Sequence, residues 1–112
     1  MKMILAFIPP HRLDRVTRSL EHVKGFPGMS VSDARGFGRE KLDRSRDARD
    51  QLEDFTEAVR IECVVPDGMA EEVIEAVRSA THTGGRGDGK LFVLPVVEGL
   101  RIKTGERGPD VA

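Results

Sequence analysis

Residues 84–90, GGRGDGK, place four glycines, two cations and a carboxylate in seven positions. Glycines at this density let consecutive backbone N–H groups converge on an anion, and Arg86 and Lys90 add positive charge. The chemistry on offer is phosphate binding. The run satisfies the G-x-x-x-x-G-K part of a P-loop, but Leu91 follows where a P-loop has Ser or Thr to hold magnesium. The order is also reversed, because a P-loop runs from strand to helix and this loop leaves a helical pattern and enters an apolar strand-like run. A Walker enzyme is therefore disfavoured, while phosphate binding survives. The same residues also suit a tight helix-to-strand turn with a helix C-cap at Gly84 or Gly85. The Arg-Gly-Asp triplet at residues 86–88 is read as coincidence in a chain that shows no secretion signal.

Two further segments share the glycine-rich or basic character. Gly36, Phe37, Gly38 and Arg39 form a second glycine-rich basic turn, and Arg101 and Lys103 fall on one face if residues 100–103 are extended. Three such segments converging would suit a polyphosphate, although each alone also suits a turn or a solvated face. No Ser-His-Asp set or metal cluster is visible, and His11, His22 and His82 lack ligand spacing.

The elements that must position these residues follow from periodicity. Residues 1–8 read as a first strand closed by Pro9 and Pro10, and Leu13, Val16, Leu20 and Val23 recur at helical spacing. Gly25, Pro27 and Gly28 break that helix before a second strand at residues 29–34. Residues 40–54 are densely charged and read as a long solvated loop. Residues 58–65 form a third strand, with Val59, Ile61, Cys63 and Val65 on one face. Asp67 can cap a second helix carrying Met69, Val73, Ile74 and Val77 on one side and ending near Thr83. Residues 91–97 form a fourth strand and residues 100–103 a short fifth, before a polar tail.

Both halves run strand, proline, helix, glycine break, strand. That order predicts an α+β, ferredoxin-like antiparallel sheet with both helices on one face. Met3, Leu5 and Phe7 alternate with Ile4, Ala6 and Ile8, and Phe92, Leu94 and Val96 with Leu91, Val93 and Pro95, so both sheet faces are apolar. Helices cover only one face, which predicts that the other meets copies of the chain in a symmetric oligomer. A partly exposed face or a different partner is the alternative.

Bulk composition narrows the function classes. The chain has 112 residues, enough for one domain, and 18 Lys and Arg balance 19 Asp and Glu for a net charge of −1. No global positive field draws it to nucleic acid or anionic lipid. The apolar start is too short for a signal-peptide core or a membrane span, so direct membrane insertion is not expected. The single cysteine, Cys63, cannot form an intramolecular disulfide, which suits a reducing compartment and the cytoplasm.

The segments RLDRV, GFPGMSV, GFGR, VRIECVVPD, THTGGRGDGKLFVLPV and RIKTGE, in that order and spacing, resemble the PII nitrogen-regulatory signalling proteins from end to end. The resemblance implies a ferredoxin-like homotrimer that binds ATP or ADP between subunits. It also implies control of a target protein (an enzyme, transporter or transcription regulator) through a long flexible loop, here residues 37–57. The phosphate loop is placed at residues 83–90, with Gly84, Gly87, Asp88, Gly89 and Lys90 as its matching residues. Arg101 and Lys103, in a C-terminal segment of residues 101–112, match a basic pair that clasps phosphates from the neighbouring subunit. Lysine at the second of these positions keeps the charge and loses the bidentate fork. Ser30, Gly36, Gly38 and Arg39 match residues near base and phosphates, and Val64 matches a strand lining the adenine pocket.

Departures from the family pattern cluster around the middle loop. Glu40 stands where better-studied members have a glutamine that helps hold magnesium and 2-oxoglutarate, although Glu40 itself remains a candidate magnesium ligand. Ala58 stands where they have a lysine that pairs with 2-oxoglutarate. Both changes disfavour a dianionic metabolite. The chain contains no tyrosine, so uridylylation of a loop tyrosine is excluded, while Ser45 is available for phosphorylation. The distinct charge pattern of residues 42–55 suggests a different target, such as a membrane transporter or efflux system. The residues leave two other function classes open: a small ATP-hydrolysing or phosphoryl-handling enzyme, and a trimeric adaptor indifferent to nucleotide.

Overall fold

The computed structural model describes residues 1–37, 55–85 and 87–112. Four strands, β1 (Lys2–Ile8), β2 (Ser30–Gly36), β3 (Thr56–Val65) and β4 (Lys90–Pro95), form an antiparallel sheet in the order β2-β3-β1-β4. Helices α1 (Leu13–Glu21) and α2 (Ala70–Thr81) each follow a strand through a proline and a 3-10 turn, Pro10–Arg12 and Asp67–Met69. The expected ferredoxin-like βαββαβ order is therefore present.

Strand alternation decides which side chains meet the helices. Ile4, Ala6 and Ile8 of β1 and Val59, Ile61, Cys63 and Val65 of β3 are buried, and they pack with Val16, Leu20 and Val23 after the first proline turn and with Val73 and Val77 of α2. These residues form one core between sheet and helices. Ala70 and Ala76 also belong to it, and the Ser19 hydroxyl donates to the carbonyl of Ala76 at 2.9 Å. Small residues at this crossing let α1 and α2 approach closely. Burial pushes the Cys63 thiol up to about 11, so it stays protonated and behaves as a small apolar side chain.

Among the described residues, no helix covers the other sheet face. By register, Met3, Leu5 and Phe7 of β1 point to the same side as Val64, Glu62 and Arg60 of β3 and Leu94, Phe92 and Lys90 of β4. Phe92 is 51% and Leu94 40% exposed, so the apolar second face read from the sequence stands open in the single chain. Arg60 Nε lies 2.7 Å from Glu62 Oε1, a charge contact without hydrogen-bond alignment.

Several boundaries shift. β2 starts at Ser30 and reaches Gly36, and β3 opens at Thr56 rather than Ala58, because each extends by pairing with the other from Ser30↔Glu62 to Gly36↔Thr56. Asp67 does not cap α2: it opens the 3-10 turn and makes no side-chain cap bond. Helix α2 ends at Thr81, two residues before the expected end.

The largest correction concerns the tail. No strand spans residues 100–103; instead β5 (Gly99–Leu100) pairs with β6 (Arg107–Gly108), and residues 101–106 turn between them. Gly105 adopts φ +77° and its N–H donates to the carbonyl of Arg101 at 2.7 Å, closing the turn. Arg101 and Lys103 therefore lie in a hairpin turn, not on one face of an extended segment. No helix among the described residues is long and apolar enough to cross a membrane.

Candidate functional site: the glycine loop and the C-terminal hairpin

The glycine loop leaves α2 at Thr81 and enters β4 at Lys90. Gly84, Gly87 and Gly89 take φ of +83°, +82° and +111°, backbone that other L-residues rarely adopt. Gly89 has a second constraint, since a Cβ there would lie 2.2 Å from the carbonyl oxygen of Phe7. The loop thus passes directly against the end of β1, and only glycine fits at that crossing. Lys90 pairs with Phe7 in the ladder and is exposed at the same end of the sheet.

Asp88 organises the first half of the loop. Its carboxylate accepts the Thr83 N–H at 2.8 Å, the Thr83 hydroxyl and the Gly84 N–H at 3.0 Å. The Gly85 N–H donates to the Thr83 hydroxyl oxygen at 3.1 Å. The N–H groups of Gly84 and Gly85, expected to line an anion nest, are therefore turned inward. The Thr83 hydroxyl, then the Thr83 N–H, hold the Asp88 carboxyl below its ordinary value of 3.8, and His82 Nδ1 at 3.7 Å adds a smaller attraction when protonated. A depressed pKa means that these bonds are fully present above the ordinary value and are lost only as pH falls through the lower folded value. In an NMR titration, the Thr83 and Gly84 amide shifts should turn with a midpoint below 3.8. A midpoint at or above that value would contradict the arrangement.

Beside the loop, on the helix side, lies a cleft of about 350 Å³ with Ile8, Val77 and Leu91 among its apolar walls and Arg78, His82 and Lys90 among its basic ones. The end of α2 presents carbonyl groups here, so attraction for an anion has to come from side-chain charge and the N–H groups of the loop's second half.

The C-terminal hairpin is anchored at the other end of the sheet. Val96 donates its N–H to the Met1 carbonyl at 3.1 Å, and Gly99 packs against the Met1 side chain and Val111. Lys90 and Gly89 meet β1 at Phe7. Six residues of strand, roughly 20 Å, separate the two anchorages. Within the hairpin, Arg101 Nε lies 3.2 Å from Glu106 Oε2 and its guanidinium donates to the carbonyl of Ala112 at 3.3 Å. Arg107 is paired with Glu98.

The remaining candidate residues divide between the two ends. Val64 pairs with Met3, on the helix-free face and near the hairpin end, and Ser30 pairs with Glu62 next along β3. Gly36, at the end of β2, lies at the Lys90 end but on the opposite edge of the sheet. Gly38, Arg39, Glu40, Ser45 and Arg86 lie outside the described residues, as does most of the segment 37–57 expected to be a loop, whose residues 56–57 instead open β3. Among the described residues no group of three or more His, Cys, Asp or Glu is placed to hold a metal ion. Thr83 is the residue that motif reading passed over. The hint was a hydroxyl five residues before an aspartate across a glycine turn, a spacing suited to a side-chain clasp.

Comparison with known proteins places this arrangement. The family model described as Nitrogen regulatory protein P-II matches residues 1–106. Nitrogen regulatory protein P-II of Azospirillum brasilense is 47% identical over 112 residues, 98% of each chain, and that of Rhodospirillum rubrum is 45% identical over the same shares. Among solved structures, Arabidopsis thaliana PII bound to citrate aligns with a TM-score of 0.77 at 37% identity, over 96% of this chain and 87% of that one. Similarity that runs through the sheet, the glycine loop and the hairpin alike leads to one conclusion: the chain belongs to the nitrogen regulatory protein P-II family.

Proposed function

We propose that this regulatory protein reads adenylate state, binding ATP or ADP between subunits of a homotrimer and controlling a target through the segment at residues 37–57. The observation that carries the reading is the split of the basic groups. Lys90 and the glycine loop sit at one end of the sheet and Arg101 and Lys103 in a hairpin anchored roughly 20 Å away. One chain alone does not close both around a single polyphosphate, whereas the loop of one subunit and the hairpin of its neighbour do. The open apolar face of Met3, Leu5, Phe7, Phe92 and Leu94 supplies the surface for such an assembly.

In this reading Gly87, Gly89 and Lys90 face the phosphates, while Gly84 and Asp88 hold the loop's shape. Ser30 and Gly36 serve the base and phosphates and Val64 the adenine pocket, roles shared by Gly38 and Arg39, which fall outside the described residues. Arg101 exchanges Glu106 for phosphate. Magnesium enters only through Glu40, outside the described residues, and the nucleotide's own oxygens. The Arabidopsis relative is described with citrate, a small polyanion of the same charge class as a polyphosphate. The protein acts as a regulator rather than an enzyme, in the cytoplasm, with a target protein such as a membrane transporter as its partner; nucleic acid is not a partner. Calorimetry with ATP and ADP, with and without magnesium, tests the reading, and absence of binding at millimolar concentration defeats it.

The same experiment separates this chain from 2-oxoglutarate sensors. Ala58 brings no cation, and Arg60, two residues along the same face, already has Glu62 beside it. Adding 2-oxoglutarate to the Mg-ATP complex should release little additional heat. Strong synergy between the two would show that another cation replaces the missing lysine.

A further inference from the structure

We infer that Thr83 is a positioning residue for the phosphate loop, acting through Asp88 and not on the ligand itself. This rests on the adenylate reading above. The Thr83 hydroxyl has both of its roles in use, donating to Asp88 Oδ1 and accepting the Gly85 N–H at 3.1 Å. Its backbone N–H and that of Gly84 converge on Asp88 Oδ2. Three hydrogen bonds to Asp88 thereby close the loop onto itself as a ring, and a fourth holds Gly85 to Thr83 within it, before any ligand arrives. A ring closed at one side chain leaves Gly87 and Gly89, with their left-handed backbone, held in one arrangement, and delivers Lys90 to the start of β4 in a fixed direction.

The energetic consequence differs from that of a core contact. Thr83 is exposed, so removing its hydroxyl leaves the Gly85 N–H to water and costs the fold little. What changes is the fraction of molecules whose loop is already shaped for phosphate, and apparent affinity falls by that fraction. Without the hydroxyl Asp88 keeps the Thr83 and Gly84 N–H bonds but loses its Oδ1 contact, and the Gly85 N–H loses its acceptor, so the ring is loosened and not opened.

The test compares Thr83→Val, which keeps the side-chain shape and removes the hydroxyl, with Thr83→Ser, which keeps the hydroxyl. Thr83→Val should bind ATP about five- to tenfold more weakly, Thr83→Ser within about twofold of wild type, and both should melt within about 2 °C of wild type. Amide exchange in the ligand-free proteins should be faster at Gly84 and Gly85 in Thr83→Val only. Wild-type binding with an unchanged Thr83→Val, or a Thr83→Ser variant as weak as Thr83→Val, overturns the positioning role alone. A wild-type chain that binds neither ATP nor ADP overturns the adenylate reading and this role with it.

Discussion

Gly89→Ala should destabilise the protein by about 2–4 kcal/mol, the larger part from a collision and the rest from backbone strain. The added Cβ would stand 2.2 Å from the Phe7 carbonyl oxygen, and that atom belongs to the backbone of β1, which has β3 on its other side. No rotamer relieves the clash, so β4 has to move away from β1 at the point where Lys90 enters the sheet. The φ of +111° adds a penalty of about 1–2 kcal/mol for any L-residue. Gly87→Ala is the control. Its φ is +82° but nothing lies within 4 Å of its Cβ position, so only the smaller strain applies. Denaturant midpoints of the two variants check the contrast, and equal shifts would show that the crossing at Phe7 carries no special constraint.

Lys90→Ala and Arg101→Ala should each weaken ATP binding about 10- to 100-fold, the range for loss of one charge-assisted bond. The more telling result comes from mixing them. If each site takes Lys90 from one subunit and Arg101 from the next, every site is damaged in either homotrimer. A mixed trimer of the two variants regenerates a single intact site wherever an Arg101→Ala chain supplies its Lys90 to a Lys90→Ala neighbour. Co-expressed variants, purified with two different tags, should therefore bind ATP near wild-type affinity at one site per trimer. Calorimetric stoichiometry reads this directly. A mixture as weak as its parents would place both cations in one subunit's site, against the separation seen along the sheet.

Much of the architecture is legible in the amino-acid sequence. Ile4, Ala6, Ile8, Val59, Ile61, Cys63 and Val65 alternate because one sheet face is buried, and Val16, Leu20, Val73 and Val77 recur because a helix turns every 3.6 residues. Local period and local burial are the same physical fact seen twice, so the core could be read directly. The glycine loop was legible for a similar reason, since positive φ at Gly84, Gly87 and Gly89 is a local demand that only the residue type satisfies cheaply.

The tail was misread because its structure is not local in that sense. Residues 100–103 carry alternating residues that suit a strand, yet the chain turns there because Gly105 closes on Arg101 and Arg107 pairs back to Leu100. Alternation reports which face a strand would bury, and an exposed hairpin buries neither. For Asp88 the motif indicated membership of the loop and no more; that both of its oxygens are engaged by Thr83 and Gly84 is a matter of loop geometry.

By itself, then, the amino-acid sequence determined the βαββαβ order, the core and the location of the glycine loop, because each depends on period, propensity or the backbone freedom of glycine. Only the tertiary structure decided that the Lys90 loop and the Arg101 hairpin are anchored at opposite ends of one sheet. Strand β4 sets the two apart along the sheet, but what ties the hairpin down is contact with Met1, which residue spacing does not report.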